Sequence, residues 1–249
     1  MKHILTLAAA LLAAPAFAQT AIDQNRALAG NVTPGDTPGF PITLAQPGHY
    51  KLTGHLSAPA QTTAIVISAD NVTLDLNGYT VSGSGSCTQD NATLLVTCTQ
   101  GIDNTKPGIA VQGARAAVRN GVVMGFSGAG LVAGAMGRYD NLVLAQNGQQ
   151  GFTAVGSGNR IAHSTFDTNR GHGLYMMRGQ VSASLAINNG AVGMVGFGAS
   201  DLLVTASQSL HNHGSFEFAV LRGTQANGNK TTRYGVTSLG ANLEGLTAY

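Results

Sequence analysis

The sequence predicts an all-β protein wound as a parallel solenoid of about 7–9 coils, and three observations lead there. Gly108, Gly130, Gly151, Gly173 and Gly193 recur at spacings of 22, 21, 22 and 20 residues, each followed by an apolar side chain: Ile109, Leu131, Phe152, Leu174 and Met194. Asn147, Asn169, Asn189 and Asn212 form a second series at spacings of 22, 20 and 23, each just before a turn-like cluster such as Gly148-Gln149-Gln150 or Arg170-Gly171-His172. Between these markers lie short β-prone runs with no convincing helical stripe among them. An antiparallel meander has no reason to hold equivalent residues at one period. A solenoid stacks each coil about 4.8 Å above the last and sets like residues in columns.

The elements follow in chain order. Lys2 and His3 precede the apolar run Ile4 to Ala14 and the small-x-small triplet Ala16-Phe17-Ala18, the pattern of a secretory signal cleaved before Gln19. The run is shorter than the roughly 20 residues a spanning helix needs. Residues 19–48 form an N-terminal extension and cap: Ala21–Ala29 reads as a small amphipathic helix ending at Gly30, and the Pro34–Pro47 segment leads into the first coil. Residues 49–232 form the solenoid, with strands expected at Thr63–Ser68, Val72–Leu76, Ala116–Met124, Asn141–Leu144 and Leu202–Thr205. Asn77-Gly78, a hairpin signal elsewhere, is read as a corner between two faces of one coil. Residues 233–249 supply the C-terminal cover for an end that would otherwise expose apolar interior and strand edges.

Composition narrows the function. The formal net charge is +2, and charged residues make up 10% of the chain, so no clustered basic surface for nucleic acid is expected. The 34 glycines fit many tight turns, while 43% hydrophobic residues argue against disorder. Cys87 and Cys98 bracket the polar stretch Thr88–Thr97 and read as a loop closed by one disulfide, worth on the order of 3 kcal/mol in the chain-entropy model. A metal pair is the rival reading, but no histidine or second cysteine pair lies near. Asn-x-Thr triplets start at Asn31, Asn71, Asn91 and Asn229 and say little in a turn-rich chain. The asparagine column reads as side-chain amides stacked at a buried corner, with Asn188 an alternative to Asn189.

Pro47-Gly48-His49-Tyr50-Lys51-Leu52 and Asp70-Asn71-Val72-Thr73-Leu74-Asp75-Leu76-Asn77-Gly78-Tyr79-Thr80-Val81 resemble the opening coils of right-handed parallel β-helix repeat proteins, and Val118–Val123 with Gly125-Phe126 resembles their next coil. The resemblance covers most of residues 47–230. It implies a single-stranded right-handed parallel β-helix of the pectate-lyase-like solenoid superfamily, in secreted or periplasmic proteins. It does not imply one activity, because this solenoid carries lyases, hydrolases, epimerases and tail spikes.

Between Gly108 and Ser215 the only acidic residues are Asp140, Asp167 and Asp201, which disfavours glycoside hydrolysis by paired carboxyls and a calcium-assisted lyase. The densest polar group is His163, Asp167, Arg170, His172, Tyr175 and Arg178. If this group is functional, His172 or Tyr175 serves as base and acid, with Arg170 or Arg178 neutralising a sugar carboxylate and Asp167 beside them: metal-independent β-elimination on a uronic-acid polymer. The alternative is a solvated corner with surface pairs of little worth. His211-Asn212-His213, with Glu217 close in sequence, could present two imidazoles on one strand face, but a polar turn is preferred and no metal or other cofactor is assigned.

Strand parity adds a different feature. Ala110, Val132, Thr153, Tyr175 and Val195, then Val155, Met177 and Phe197, leave one sheet mostly apolar on both sides, so Met177 and Phe197 are candidate binding residues for a partner or a second copy. The reading is an exported β-helix that engages polysaccharide, without nucleic acid or a membrane span. The alternative is a non-catalytic structural, adhesion or self-assembling module.

Overall fold

The computed structural model describes residues 19–103, 105–154, 156–196, 202–217, 219–230, 235–244 and 247–248. The chain winds as a right-handed parallel β-helix of about 8 stacked coils. One sheet of eight strands takes a three- to five-residue strand from each coil, beginning with Ile42–Leu44 and ending with Gly214–Glu217. A larger sheet takes the rest of each coil as one bent strand or two short ones, such as Asn159–Ala162 with Thr165–Asp167.

The glycine series marks the register of the eight-stranded sheet. Ile42, Ile65, Ile109, Leu131, Phe152, Leu174, Met194 and Phe216 are successive Cα partners, all fully buried. Two further columns face them from the larger sheet: Leu74, Val118, Tyr139, Ile161, Val181, Val204 and Leu221, and Val81, Val123, Leu144, Phe166 and Ala186. Alternation with period two therefore puts one side chain of each pair inside, where burial contributes about 1.5–3 kcal/mol per large apolar side chain.

Corners turn through residues in the left-handed region. One column runs Asn120, Asn141, His163, Ala183, Ala206 and Gly223, with φ between 46° and 61°. Another runs Gly125, Gln146, Thr168, Asn188, His211 and Gly228. Directly after the second corner comes the asparagine ladder. Asn147, Asn169, Asn189 and Asn212 are fully buried, and each side-chain amide donates to the Oδ1 of the next rung, the series ending on Asn229. Asn189, not Asn188, is the ladder member; Asn188 occupies the corner outside it.

Ser164, Ser184 and Ser207 form a second, shorter ladder after the first corner. Each hydroxyl donates to the carbonyl two residues back and accepts an amide from the coil before. Serine is too common in this chain for that series to stand out by spacing.

At the N-terminal end, Thr20–Ile22 is a strand paired in parallel with Gly48–Leu52, and Ile42–Leu44 lies in the eight-stranded sheet. The helix is shorter than the sequence suggests, Gln24–Ala29, because Asp23 caps it by accepting the Arg26 amide at 2.8 Å. At the other end Leu243–Glu244 pairs in parallel with the coil before it and antiparallel with Thr247–Ala248. Residues 1–18, read above as a secretory signal, lie outside the described residues.

Cys87 and Cys98 form a disulfide across an antiparallel hairpin, Cys87–Gln89 with Val96–Cys98. The hairpin lies against the solenoid along the second corner. Gln100 Nε2 donates to Phe126 O and Gln146 O, and Gln89 Nε2 donates to His211 O at 2.9 Å. From Gln146 to His211 is three rungs, about 14 Å. Gly190 permits the approach: a Cβ there would stand 3.0 Å from Val96 Cβ.

Candidate functional site: an arginine groove on the larger sheet

Arg138 and Arg160 are 22 residues apart, one coil length, and are Cα partners on adjacent strands, with Gln180 next in the column. All three side chains are exposed. Parity dictates this: Tyr139 and Ile161, one residue on, point into the core. Buried Asn159 fixes the approach to Arg160, its Oδ1 accepting the Gly137 amide at 2.8 Å and its Nδ2 donating to Gly134 O and Gly156 O. Arg178 enters from the preceding corner, and with Ser157, Arg160 and Gln180 it lines a cleft of about 440 Å³. A second depression of about 300 Å³ continues across Arg138, Asp140, Arg160 and Ser182.

Further along the same strands, Asp140 and His163 meet across one rung, Nδ1 to Oδ1 at 2.8 Å. His163 holds the corner place that Asn141 and Asn120 hold in the two coils before, where Asn141 Nδ2 donates to Asn120 Oδ1 at 3.2 Å. With Nδ1–H directed at the carboxylate, Nε2 carries the lone pair and can accept a proton. Beyond His163 a third depression passes Ser184 and Gln208. The first two depressions share Arg160 and Gln180, and the third lies past the first corner, from His163 on.

The electrostatics are uneven along this face. One coil earlier Arg119 pairs with Asp75 at 3.2 Å; burial works to raise the Asp75 pKa, but hydrogen bonds from Asn120 and Asn77 together with the Arg119 charge outweigh it and hold the carboxyl below its ordinary value. Among the described residues neither Arg138 nor Arg160 takes part in an ion pair. Like charges directly opposite on neighbouring strands are unfavourable, so Arg138 and Arg160 leave uncompensated positive charge on this face. Beneath it Tyr139 is buried with its ring edge-on to Phe152 at 4.9 Å; burial raises its pKa, and its hydroxyl has no partner among the described residues.

The residues singled out from sequence are distributed around one coil. Arg178 belongs to the groove. Asp167 ends the strand Thr165–Asp167, accepting from Thr168 Oγ1 and Asn188 Nδ2. Arg170 is exposed in the turn that follows. His172 and Tyr175 stack with ring centroids 6.1 Å apart on the outer side of the eight-stranded sheet. The Val192 amide donates to His172 Nδ1 at 3.1 Å, and burial lowers the pKa of this imidazole. The coil thus carries Asp167, His172 with Tyr175, and Arg178 on three successive segments. Arg138, Asp140 and Arg160 were not singled out by composition. Their signal was the coil spacing itself.

His211 and His213 lie in a bend between strands rather than on one strand face, on either side of buried Asn212. Among the described residues no group of three or more His, Cys, Asp or Glu side chains converges to hold a metal. On the outer side of the eight-stranded sheet, Ala110, Val132, Thr153 and Tyr175 are half-buried and Val195 is buried. Met177 is half-buried, and Val155 and Phe197 lie outside the described residues.

No family model matches the chain, and no curated protein matches it. Among solved structures it is similar to an alginate lyase from Paenibacillus sp. str. FPU-7, at 13% identity and a TM-score of 0.52, over 91% of this chain and 97% of that one. It is also similar to the A-module of a mannuronan C-5 epimerase from Azotobacter vinelandii, at 10% identity and a TM-score of 0.44, over 80% and 87%. At this identity the first likeness shows the β-helix fold alone.

Proposed function

We propose that the chain is an exported protein that engages an anionic polysaccharide along the arginine groove and cleaves a uronic-acid polymer there by β-elimination. The observation that carries this reading is the pairing of Arg138 with Arg160, in register and without an acidic partner, beside the Asp140–His163 dyad. The similar alginate lyase acts on such a polymer and makes the substrate class a natural one to test.

The chemistry follows from the geometry. The guanidinium groups take the uronate carboxylate and draw off the charge that develops when the neighbouring carbon loses its proton. His163 Nε2 receives that proton while Asp140 holds the ring and stabilises the imidazolium. The electron pair released forms the ring double bond as the glycosidic C–O bond breaks, and the departing oxygen is protonated from the imidazolium or from water. Arg178 and Gln180 bind the flanking sugar.

Incubation of residues 19–249 with a panel of uronic-acid polysaccharides, following the ultraviolet absorbance of the unsaturated product, tests this. Signal lost in His163→Ala and retained in His172→Ala supports the assignment; the reverse pattern moves the base to the His172–Tyr175 stack. A second reading, a non-catalytic carbohydrate-binding module, is favoured by one observation: the His163 and Asp140 side chains are 67% and 53% exposed, so the groove does not itself exclude water. Silence across the panel together with retained binding selects that reading.

A further inference from the structure

A cleft of about 450 Å³ lies off the arginine groove, between the tip of the disulfide hairpin and the second corner of the solenoid. Gln89, Asn91 and Leu94 come from the hairpin; Asn188, His211 and Lys230 come from three successive coils. Two chain segments far apart in sequence thus form its walls, tied together by the hydrogen bond between Gln89 and His211, 122 residues apart.

Its chemistry is that of a small-ligand site. The volume falls within the roughly 300–1,000 Å³ range of ligand clefts, where a few convergent polar groups sit on apolar ground. Leu94 and Ala92 supply the apolar ground, and Asn91, Asn188 and Gln89 supply amide groups. The ionisable groups of the lining are Lys230 and His211, and none of the lining residues is acidic. Two carboxylates adjoin the lining, and both are already hydrogen-bonded. Asp90 accepts the Ala92 and Thr93 amides of its own turn, and Asp167 accepts from Thr168 and Asn188. Gly228 sits under the imidazole: at φ 64° it carries no Cβ, and one built there would strike the His211 ring.

The geometry points to this cleft as a second carbohydrate site, distinct from the groove, that takes a single acidic sugar, its carboxylate on Lys230 and His211 and its hydroxyls on the amides of Asn91 and Asn188. The disulfide fixes the shape of the hairpin wall and the Gln89–His211 bond seats it against the solenoid, which lowers the ordering cost of binding.

The test is titration of the disulfide-intact protein with sodium glucuronate and, separately, glucose, followed by isothermal calorimetry and amide chemical shifts. Glucuronate is expected to perturb residues around Leu94, His211 and Lys230 and to bind roughly tenfold or more weakly to Lys230→Met, the loss of one charged hydrogen bond. His211→Asn, which keeps a residue suited to the left-handed corner, is expected to weaken it less. The double variant Arg138→Ala/Arg160→Ala is expected to lose the polymer from the groove and keep glucuronate in the cleft, which separates this inference from the proposed activity. Glucose binding as tightly as glucuronate, glucuronate shifts confined to the arginine groove, or affinity unchanged in Lys230→Met would each overturn it.

Discussion

Asn169 donates through Nδ2 to Asn189 Oδ1 at 3.0 Å, and that same oxygen also accepts the Asn169 backbone amide at 3.1 Å. One buried carbonyl oxygen therefore satisfies two donors of the coil before it. Its own amide goes on to Asn212, Phe166 O and Ile187 O. Removing Asn189 would take the shared acceptor from both Asn169 donors and the donor from Asn212 Oδ1, Phe166 O and Ile187 O at this buried corner.

Asn189→Ala is therefore expected to cost about 2–3 kcal/mol or more, the penalty for buried groups left unsatisfied plus a small cavity. The urea midpoint measures it. Asn188→Ala, one residue away and outside the ladder, should move that midpoint far less; equal losses would mean that the ladder is incidental.

His163→Ala offers an unusually clean separation of activity from stability. The equivalent corners one and two coils on are Ala183 and Ala206, both at φ 46°, so this backbone accepts alanine. The exposed pair with Asp140 contributes little to folding, within about 1 kcal/mol. The variant should keep the wild-type unfolding midpoint and lose unsaturated product. A large drop in stability would contradict the assignment of His163 as a surface group.

Arg160→Ala should weaken binding of a uronic-acid polymer by roughly tenfold, and the wild-type affinity should fall steeply with salt, as expected for exposed charges screened within about 10 Å at 0.1 M. Arg119→Ala is the comparison, since Arg119 already has Asp75 as partner. Binding curves at two ionic strengths decide between them.

Acid should destabilise the fold through His172. Burial places its folded-state pKa below the ordinary 6.5, so as pH falls the unfolded chain takes up the proton first. The stabilising contribution is complete above the ordinary value and is lost as pH drops from there through the folded value. Unfolding midpoints at neutral and mildly acidic pH, in the wild type and in His172→Asn, should converge on the acid side. An unchanged slope in the variant would locate the pH dependence elsewhere.

Cys87→Ser/Cys98→Ser should act locally. The hairpin is held to the solenoid by few hydrogen bonds, so loss of the cross-link is expected to speed proteolysis near Asn91–Leu94 and hydrogen exchange there, while amides of the paired coils stay protected. Loss of protection throughout would make the hairpin an integral part of the core.

The sequence made the coils legible because two residue types had a physical reason to recur. Gly130, Gly151 and Gly173 precede the inward strand where the backbone of the next coil passes close, and the asparagines occupy a corner where only a side-chain amide both donates and accepts. The groove was less legible because side chains facing water have no such constraint. Arg138 and Arg160 repeat at the coil length, but nothing in their neighbours announces it, whereas the cluster from His163 to Arg178 is dense in sequence and becomes spread around a coil. The hairpin's position was not legible at all. Its spacing showed a closed loop, yet its partners Gln146 and His211 are far along the chain and have no marker in composition.

A ladder in which every rung carries the same group has no record of which rung it is. If residues 148–169 were excised, Asn147 would face Asn189 and Gly130 would face Gly173, and the corner would close as before. As far as this ladder is concerned, length can change by whole coils, a unit set by hydrogen bonding; the hairpin, which reaches from Gln146 to His211, is fitted to a fixed number of rungs. The groove has no such freedom. The same excision removes Arg160 and His163 together, so the scaffold is repeated many times over while the candidate chemistry exists in a single copy.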